Sequence, residues 1–446
     1  MLNKILIANR GEIALRVIYA CRELGIRTVA VYSEADEHAL HVRFADEEVC
    51  IGPARPAESY LNVPAIITAA QVTGAEAIHP GYGFLSESPY LAEAAGACGI
   101  TFIGPPLEAL RLLGDKTRAR RAVERAGIAV LPGTAQPPET LSAALKASRK
   151  LGFPLIIKAS AGGGGKGMRV VRDASDIEHA WAVAQREAAA AFGDGTLYLE
   201  KYIEAPRHIE FQVLADGNGR VVHLGERECS IQRRHQKLIE EAPSVVLTAR
   251  QRRKLGRAVV GAARAVGYEN AGTFEFLMDD RGHFYFLEAN TRLQVEHPVT
   301  EMVTGVDIVK EQIRIASGEP LSFRQDDVTM TGHAIECRIN AESPDTFRPS
   351  PGVIRVFSMP GGPGIRVDTA AHTDSTITPY YDSLVAKLIA HGSDRDEAIA
   401  RMRRALEMTV IEGIDTTVPL HRRILEDPDF VEGRLSTAFM DRFSSA

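Results

Sequence analysis

Leu155-Ile-Ile-Lys158-Ala-Ser-Ala-Gly162-Gly-Gly-Gly165-Lys166-Gly167-Met-Arg-Val-Val171 is the stretch whose reading decides the fold. An apolar, β-branched run carrying Lys158 enters a spread of glycines around Lys166, and a second run, Met168 to Val171, leaves it. The pattern predicts strand, glycine loop, strand. Gly162 to Gly165 expose backbone N–H groups that can close around an anion, with Lys158 and Lys166 adding charge at its edge. This is the chemistry of a polyphosphate clamp. It is not a Walker A loop, because Gly167 stands where Ser or Thr would follow the lysine and the next element reads as strand. A dinucleotide fingerprint also opens a helix. A flexible linker is the competing reading, but linkers are rarely bounded so tightly by two strands.

Outward from this loop, 446 residues with 45% hydrophobic content predict about three domains of ~150 residues. A net charge of −6 argues against nucleic-acid and anionic-membrane partners. The five cysteines are odd in number, widely spaced and without a Cys-x-x-Cys pair, which suits a reducing cytoplasm and disfavours zinc. Only Ile5 to Ala8 is apolar before Asn9 and Arg10, and no later run approaches a membrane span, so neither a signal peptide nor a transmembrane segment is expected.

Residues 1–113 alternate short apolar runs with helical patterns, a βαβ rhythm that predicts a parallel sheet. No Gly-x-Gly-x-x-Gly follows the first strand, which disfavours a nicotinamide enzyme. Beyond Gly114, Asp115 reads as an N-cap that puts Lys116 in the first turn of a helix. A lysine there meets the positive end of the dipole, costing a few tenths to ~1 kcal/mol. It is either a solvated side chain or a group awaiting phosphate. Leu197 to Ile203 reads as a strand ending in a polar hinge, able to bond a purine edge through its backbone.

Strict alternation then sets His208, Glu210 and Gln212 on one face and Ile209, Phe211 and Val213 on the other. Residues 226–241, which include Gln232, Arg233, Arg234, His235 and Lys237, are polar throughout. They read as a solvated face or as a basic loop over an anionic site. Thr273 to Met278 and Phe284 to Glu288 predict a hairpin. With Arg281-Gly282 at its tip, Glu275 faces Glu288 across the ladder. Two carboxylates at ~5 Å repel by about 3 kcal/mol at an effective dielectric of 20. A divalent cation relieves this, with Asn290 as a further oxygen ligand. Arg292 and Glu296, four residues apart, either grip a small oxyanion and take its proton or form a structural salt bridge. Residues 333–446 predict a third, α+β unit, in which Arg338 is a sheet-edge charge or reaches back to the cleft.

Together these stretches closely resemble biotin carboxylases, the ATP-grasp components of biotin-dependent carboxylases such as acetyl-CoA carboxylase. The resemblance covers essentially the whole chain. It rests most on Ile7-Ala-Asn-Arg-Gly-Glu-Ile-Ala14, His79-Pro-Gly-Tyr-Gly-Phe-Leu-Ser-Glu87, Gly162 to Arg169, Gln232-Arg-Arg-His-Gln-Lys237 and Glu288-Ala-Asn-Thr-Arg-Leu-Gln-Val-Glu-His-Pro298. The family implies an N-terminal parallel α/β domain (1–113), an ATP-grasp domain (114–330) with a mobile glycine-loop lid at about 131–203, and a C-terminal α+β domain (331–446).

The reaction implied is phosphorylation of bicarbonate by ATP to carboxyphosphate, followed by carboxylation of biotin on a carrier protein. By motif position, Lys116, Lys158, Gly164, Gly165, Glu200, Lys201, Tyr202, Ile203, His208, His235, Glu275 and Glu288 resemble ATP contacts. Glu275, Glu288 and Asn290 resemble a Mg²⁺ or Mn²⁺ site, and Lys237, Arg292, Gln294, Val295 and Glu296 a bicarbonate cradle with Glu296 as its base. Arg338 resembles the group that stabilises the biotin enolate, with Tyr82 and Gln232 near the ureido ring. Ala161 and Lys166 stand where some members have glycine and arginine. No Ala-Met-Lys-Met motif is present, so a separate biotin carboxyl carrier protein and a carboxyltransferase subunit are expected. The family is commonly homodimeric. Another ATP-grasp ligase would have no need of Arg338 or Gln232, and a catalytically silent subunit no need of Glu296, Arg292 and Lys237.

Overall fold

The structure is a computed structural model that describes residues 1–134, 136–160 and 167–443. The centre of the glycine loop, including Gly164 and Gly165, lies outside the described residues. The strands on either side form as expected: Leu155–Ala159 pairs antiparallel with Arg169–Val171 and, on its other edge, with Leu197–Lys201. Helices Leu141–Leu151 and Ile177–Phe192 back this three-stranded sheet around a core of Ile157, Leu199, Trp181 and Ala184.

The N-terminal residues build a parallel five-stranded sheet in the order Glu47–Cys50, Arg27–Tyr32, Lys4–Ile7, Ala77–His79, Thr101–Phe102. The order reverses between Lys4–Ile7 and Ala77–His79, and the crevice beyond the carboxyl ends of such strands is where open sheets receive ligands. Here Asn9 Nδ2 donates to the carbonyls of Pro80 and Tyr82, each at 2.7 Å. A Cβ on Gly81 would lie 2.9 Å from that nitrogen, and its φ of +62° also favours glycine. The clamp fixes where Tyr82 emerges.

Eight further strands form one antiparallel sheet, and two small two-stranded sheets, Gly352–Val353 with Thr376–Ile377 and Val356–Ser358 with Val410–Glu412, lie in the C-terminal part. The order of the eight is Phe284–Asn290, Asn270–Met278, Arg207–Ala215, Val221–Arg233, Gln236–Ala242, His333–Asn340, Leu384–Gly392, Ile365–Thr369. The ladder therefore runs on across residue 331: His333–Asn340 pairs with Gln236–Ala242, and the third unit contributes strands to the same sheet as the second. On one face Ile209, Phe211, Val213, Phe274, Phe276 and Phe286 pack against helix Ala249–Ala265 and its neighbours. The three pairs of phenylalanine rings meet at centroid distances of 6.2–6.3 Å. Each buried ring contributes ~2–3 kcal/mol.

Two sequence expectations are corrected by this sheet. Residues 226–241 are not a loop. They belong to the long strands Val221–Arg233 and Gln236–Ala242, joined at Arg234-His235 with φ of +48° and +65°. The alternation that signals a strand is hidden because both faces are buried and one carries paired charges. The second correction concerns the hairpin tip. Met278 pairs with Phe284 and Asp279 bonds His283, leaving Asp280–Gly282 as the loop. That register alone would set Glu275 opposite Leu287. An irregularity between Glu275 and Phe276 shifts the ladder by one, restoring the Glu275–Glu288 pair and leaving Leu287 only half-buried.

Candidate active site

His208, Glu210 and Gln212, on strand Arg207–Ala215, face a cleft on the side of the sheet away from the phenylalanines, while Leu214 further along packs in the core beside Val222 and Leu224. The three polar side chains are all buried. Burying a carboxylate is unfavourable unless it is paired, and the local sequence supplies the partners. Arg227, on the neighbouring strand, is fully buried and donates to Glu210 at 2.5 Å, Gln212 at 2.8 Å, Thr300 at 3.0 Å and Thr273 at 3.1 Å.

Lys237 is the hub of the cleft. Its ammonium lies 2.5 Å from Glu210, 2.9 Å from Glu275 and 2.6 Å from Glu296. Burial alone would lower its pKa, but the three carboxylates raise it well above the ordinary lysine value. Burial would likewise raise Glu296, yet Lys237, Arg338 and Arg227 hold it well below the usual carboxylate range. Arg338 reaches back to the cleft: Nη2 donates to Glu296 at 2.9 Å while Nε donates to Glu240 at 2.6 Å. Glu296 is thus an ionised base gripped by an ammonium and a guanidinium.

Arg292 and Glu296 form no ion pair with each other among the described residues. Arg292 instead bonds Glu87 at 3.0 Å, with Gln294 Oε1 and Asn290 Oδ1 at 3.2 Å. Gln294 is buried, and its Nε2 has no acceptor among the described residues. A buried donor without a partner is costly, so an anion at this position would satisfy it. The residues around 292–296 therefore present cationic and amide donors beside an ionised base.

Glu275 and Glu288 stand opposite one another, and Asn290 donates to Glu275 at 2.8 Å. Each carboxylate is neutralised by a lysine, Lys237 on Glu275 and Lys116 on Glu288 at 3.3 Å. Paired carboxylates with a neighbouring amide oxygen are a hard donor set that fits Mg²⁺ or Mn²⁺. Asp115 caps the helix Lys116–Arg125 as expected, accepting from the Arg118 N–H.

At the open side, Lys158 is held 2.6 Å from Glu200, which also pairs with Arg120. Burial, with Lys116 and Arg120 nearby, lowers the Lys158 ammonium to about 7, a shift the Glu288 carboxylate opposes. Lys201 Nζ donates to the Phe153 carbonyl at 2.8 Å, and the Tyr202 N–H to Pro154. These bonds tie the segment before Ile203 to the residues that precede strand Leu155–Ala159. His235 is exposed in the turn at the cleft's mouth, where its imidazolium is disfavoured by partial burial and by Lys158 and His208. Gln232 is buried and pairs with Lys237 in the ladder. Tyr82 donates its hydroxyl to Glu12 and lies close enough to Arg338 to feel its charge.

Sequence reading gave no role to Glu87, Arg227, Glu240 or Glu336. Glu87 lay in a quoted motif, but its contact with Arg292 spans 205 residues of chain. Glu240 and Glu336 face each other across neighbouring strands. Burial raises Glu240 to about 7 despite Arg338, and raises Glu336, whose two oxygens are unpartnered, well above the usual range. Alternating polarity was the available signal for both, but it is equally the pattern of a solvated strand.

Comparison with known proteins gives one answer over the whole chain. Residues 1–110 match the biotin carboxylase N-terminal domain, residues 115–324 the ATP-binding domain of the carbamoyl-phosphate synthase L chain, and residues 336–442 the biotin carboxylase C-terminal domain. A biotin carboxylase of Allochromatium vinosum is 57% identical over 99% of this chain and 98% of its own. A crystal structure of biotin carboxylase in complex with a β,γ-ATP ligand from Campylobacter jejuni has a TM-score of 0.97 at 49% identity, covering 99% of both chains. The biotin carboxylase domain dimer of Hydrogenobacter thermophilus 2-oxoglutarate carboxylase, in complex with MgADP, ADP and bicarbonate, also has a TM-score of 0.97, at 51% identity, covering 100% of this chain and 99% of that one. The chain belongs to the biotin carboxylase family, whose members carry out the ATP-dependent carboxylation of biotin, the first half-reaction of biotin-dependent carboxylases.

Proposed function

We propose that the cleft takes ATP against the lid, bicarbonate at residues 292–296 and biotin beside Arg338. The observation that carries this reading is Glu296, an ionised carboxylate held between Lys237 and Arg338 next to the unpartnered amide of Gln294. ATP is held by Lys116, Lys158, Glu200, Lys201, Tyr202, Ile203, His208, His235, Glu275 and Glu288, a set to which Gly164 and Gly165 also belong by motif position. Mg²⁺ or Mn²⁺ on Glu275, Glu288 and Asn290 neutralises those phosphates when bound. Arg292, Gln294, the Val295 backbone and Lys237 orient bicarbonate. Glu296 takes its proton as the oxygen bonds to the γ-phosphorus and ADP leaves, giving carboxyphosphate. Carboxyphosphate breaks its C–O bond to give CO₂ and inorganic phosphate, the phosphate takes the N1′ proton, and N1′ bonds to the CO₂ carbon; Tyr82 and Gln232 line the ureido ring while Arg338 balances the negative charge on the ureido oxygen.

The division into 1–113, 114–330 and 331–446 belongs to the same reading, although one sheet runs across residue 331, and the lid at about 131–203 is supported by its three strands, which among the described residues form a sheet of their own. A biotin carboxyl carrier protein would present the biotin, a carboxyltransferase would choose the acceptor, and two copies would form a homodimer in the cytoplasm. The deciding experiment measures ADP release with Mg²⁺, bicarbonate and free biotin, omitting each in turn, alongside transfer of labelled bicarbonate to biotin. Label on biotin, with ADP release lost without bicarbonate, supports the reading. ADP release indifferent to biotin, with no label transferred even to a biotinylated carrier, overturns it.

A further inference from the structure

Lys387 stands directly opposite Arg338 in the ladder between Leu384–Gly392 and His333–Asn340. Like charges opposite one another are destabilising unless each finds its own anions. Arg338 takes Glu240 and Glu296, as described. Lys387 is fully buried, and its ammonium meets a separate set: Glu12 at 3.1 Å, Asp368 at 3.7 Å and the backbone carbonyl of Val295 at 3.0 Å. These three acceptors come from distant parts of the chain. Glu12 lies on the first helix, Gly11–Glu23, Asp368 on the strand at one edge of the large sheet, and Val295 on the segment that leaves the carboxylate hairpin.

Glu12, with Asp368 shared between Lys387 and Arg366, supplies the negative charge around the ammonium. The bond to Val295 adds orientation. The carbonyl of Val295 belongs to the peptide plane that joins it to Glu296, so holding its oxygen fixes that plane and the place of the Glu296 Cα from which the side chain starts. The same Glu12 accepts from the Tyr82 hydroxyl. One buried ammonium thus joins the loop carrying Tyr82 to the segment carrying Glu296.

We propose that Lys387 is a positioning residue for the bicarbonate step, fixing the Val295–Glu296 peptide so that the Gln294 amide and the Glu296 carboxylate converge on one anion. This rests on the reading that residues 292–296 receive bicarbonate. Lys387 touches no substrate and acts through the backbone. Misplacement of a reacting group by about 1 Å can reduce a rate ~10²-fold.

The test uses the full chain and two charge-balanced pairs, Lys387→Met with Glu12→Gln and Lys387→Met with Asp368→Asn, because Lys387→Met alone would strand buried carboxylates. Gln294→Ala serves as the reference for the bicarbonate site itself. Initial rates of ADP release are measured against bicarbonate and against ATP. The expected result is a bicarbonate KM raised about tenfold or more in both pairs and in Gln294→Ala, with the ATP KM within about twofold of the unaltered chain. A raised bicarbonate KM in Gln294→Ala but not in the pairs overturns the role of Lys387 and leaves the site standing. An unchanged bicarbonate KM in Gln294→Ala overturns the site and the inference together. A parallel rise in both KM values, or failure of both pairs to fold, assigns Lys387 to the core and overturns the positioning role.

Discussion

Glu275 and Glu288 stand directly opposite each other on antiparallel strands, and each carboxylate is held by an ammonium, Lys237 on Glu275 at 2.9 Å and Lys116 on Glu288 at 3.3 Å. A divalent cation entering between them competes with both lysines. Glu275→Gln or Glu288→Gln should therefore raise the Mg²⁺ concentration that half-saturates ATP cleavage by about tenfold or more. The measurement is a Mg²⁺ titration of ADP release at fixed ATP, and an unchanged midpoint in both variants would remove this pair from the metal site.

Glu296 is held well below the ordinary carboxylate range, so it is ionised throughout the neutral range. Glu296→Gln should lower bicarbonate-dependent ADP release by ~10²–10⁴-fold. ATP affinity, followed by calorimetry, should remain, because Lys237 keeps Glu210 and Glu275 and Arg338 keeps Glu240. In the unaltered enzyme no acid limb from about pH 8 down to about pH 5 should belong to this group.

Arg227 donates to four side chains from a fully buried position. Arg227→Met leaves Glu210 without that guanidinium, and breaking such a buried pair costs about 3–5 kcal/mol. Urea unfolding should show a loss of this size. Arg227→Lys should recover only part of it, since an ammonium lacks the planar fork that reaches all four acceptors.

Two buried carboxyls should give opposite pH signatures. Burial would raise Glu241, but His333 and Arg395 lower it from 4.5 to about 2. Its stabilisation is fully present above the unfolded value and is lost as pH falls through the folded one. Glu241→Gln should cost ~3 kcal/mol near pH 7, the gap narrowing by ~1 kcal/mol at about pH 3.5. Glu336 is raised, so its folded form keeps a proton that the unfolded chain releases. Stability then falls as pH rises above the unfolded carboxyl value, and Glu336→Gln should be more stable than the unaltered chain at pH 7, with no difference below about pH 4. Denaturant midpoints across this range check both signs.

Much of the chemistry was legible in the residues. Period-two alternation placed His208, Glu210 and Gln212 on one face, and the hairpin pattern brought Glu275 to Glu288, although by a ladder irregularity and a three-residue loop instead of the expected tight turn. The strands from Val221 to Ala242 were not legible. Their charged residues satisfy one another inside the protein, while sequence patterning assumes that a charge marks water. The choice between oxyanion grip and salt bridge for Arg292 and Glu296 was equally open, because only space shows Glu87 taking the arginine and Lys237 with Arg338 taking the glutamate.

By itself the sequence determined the chemistry-bearing motifs, the parallel sheet of the N-terminal unit and the two strands that flank the glycine run, since all of these rest on local periodicity and turn chemistry. Tertiary structure alone decided which carboxylate each cation serves. Lys237 meets Glu210, Glu275 and Glu296, and Lys387 meets Glu12, Asp368 and Val295, across strands and helices far apart in the chain. A buried charge must find its partner wherever packing brings one, and that partner sets its protonation state.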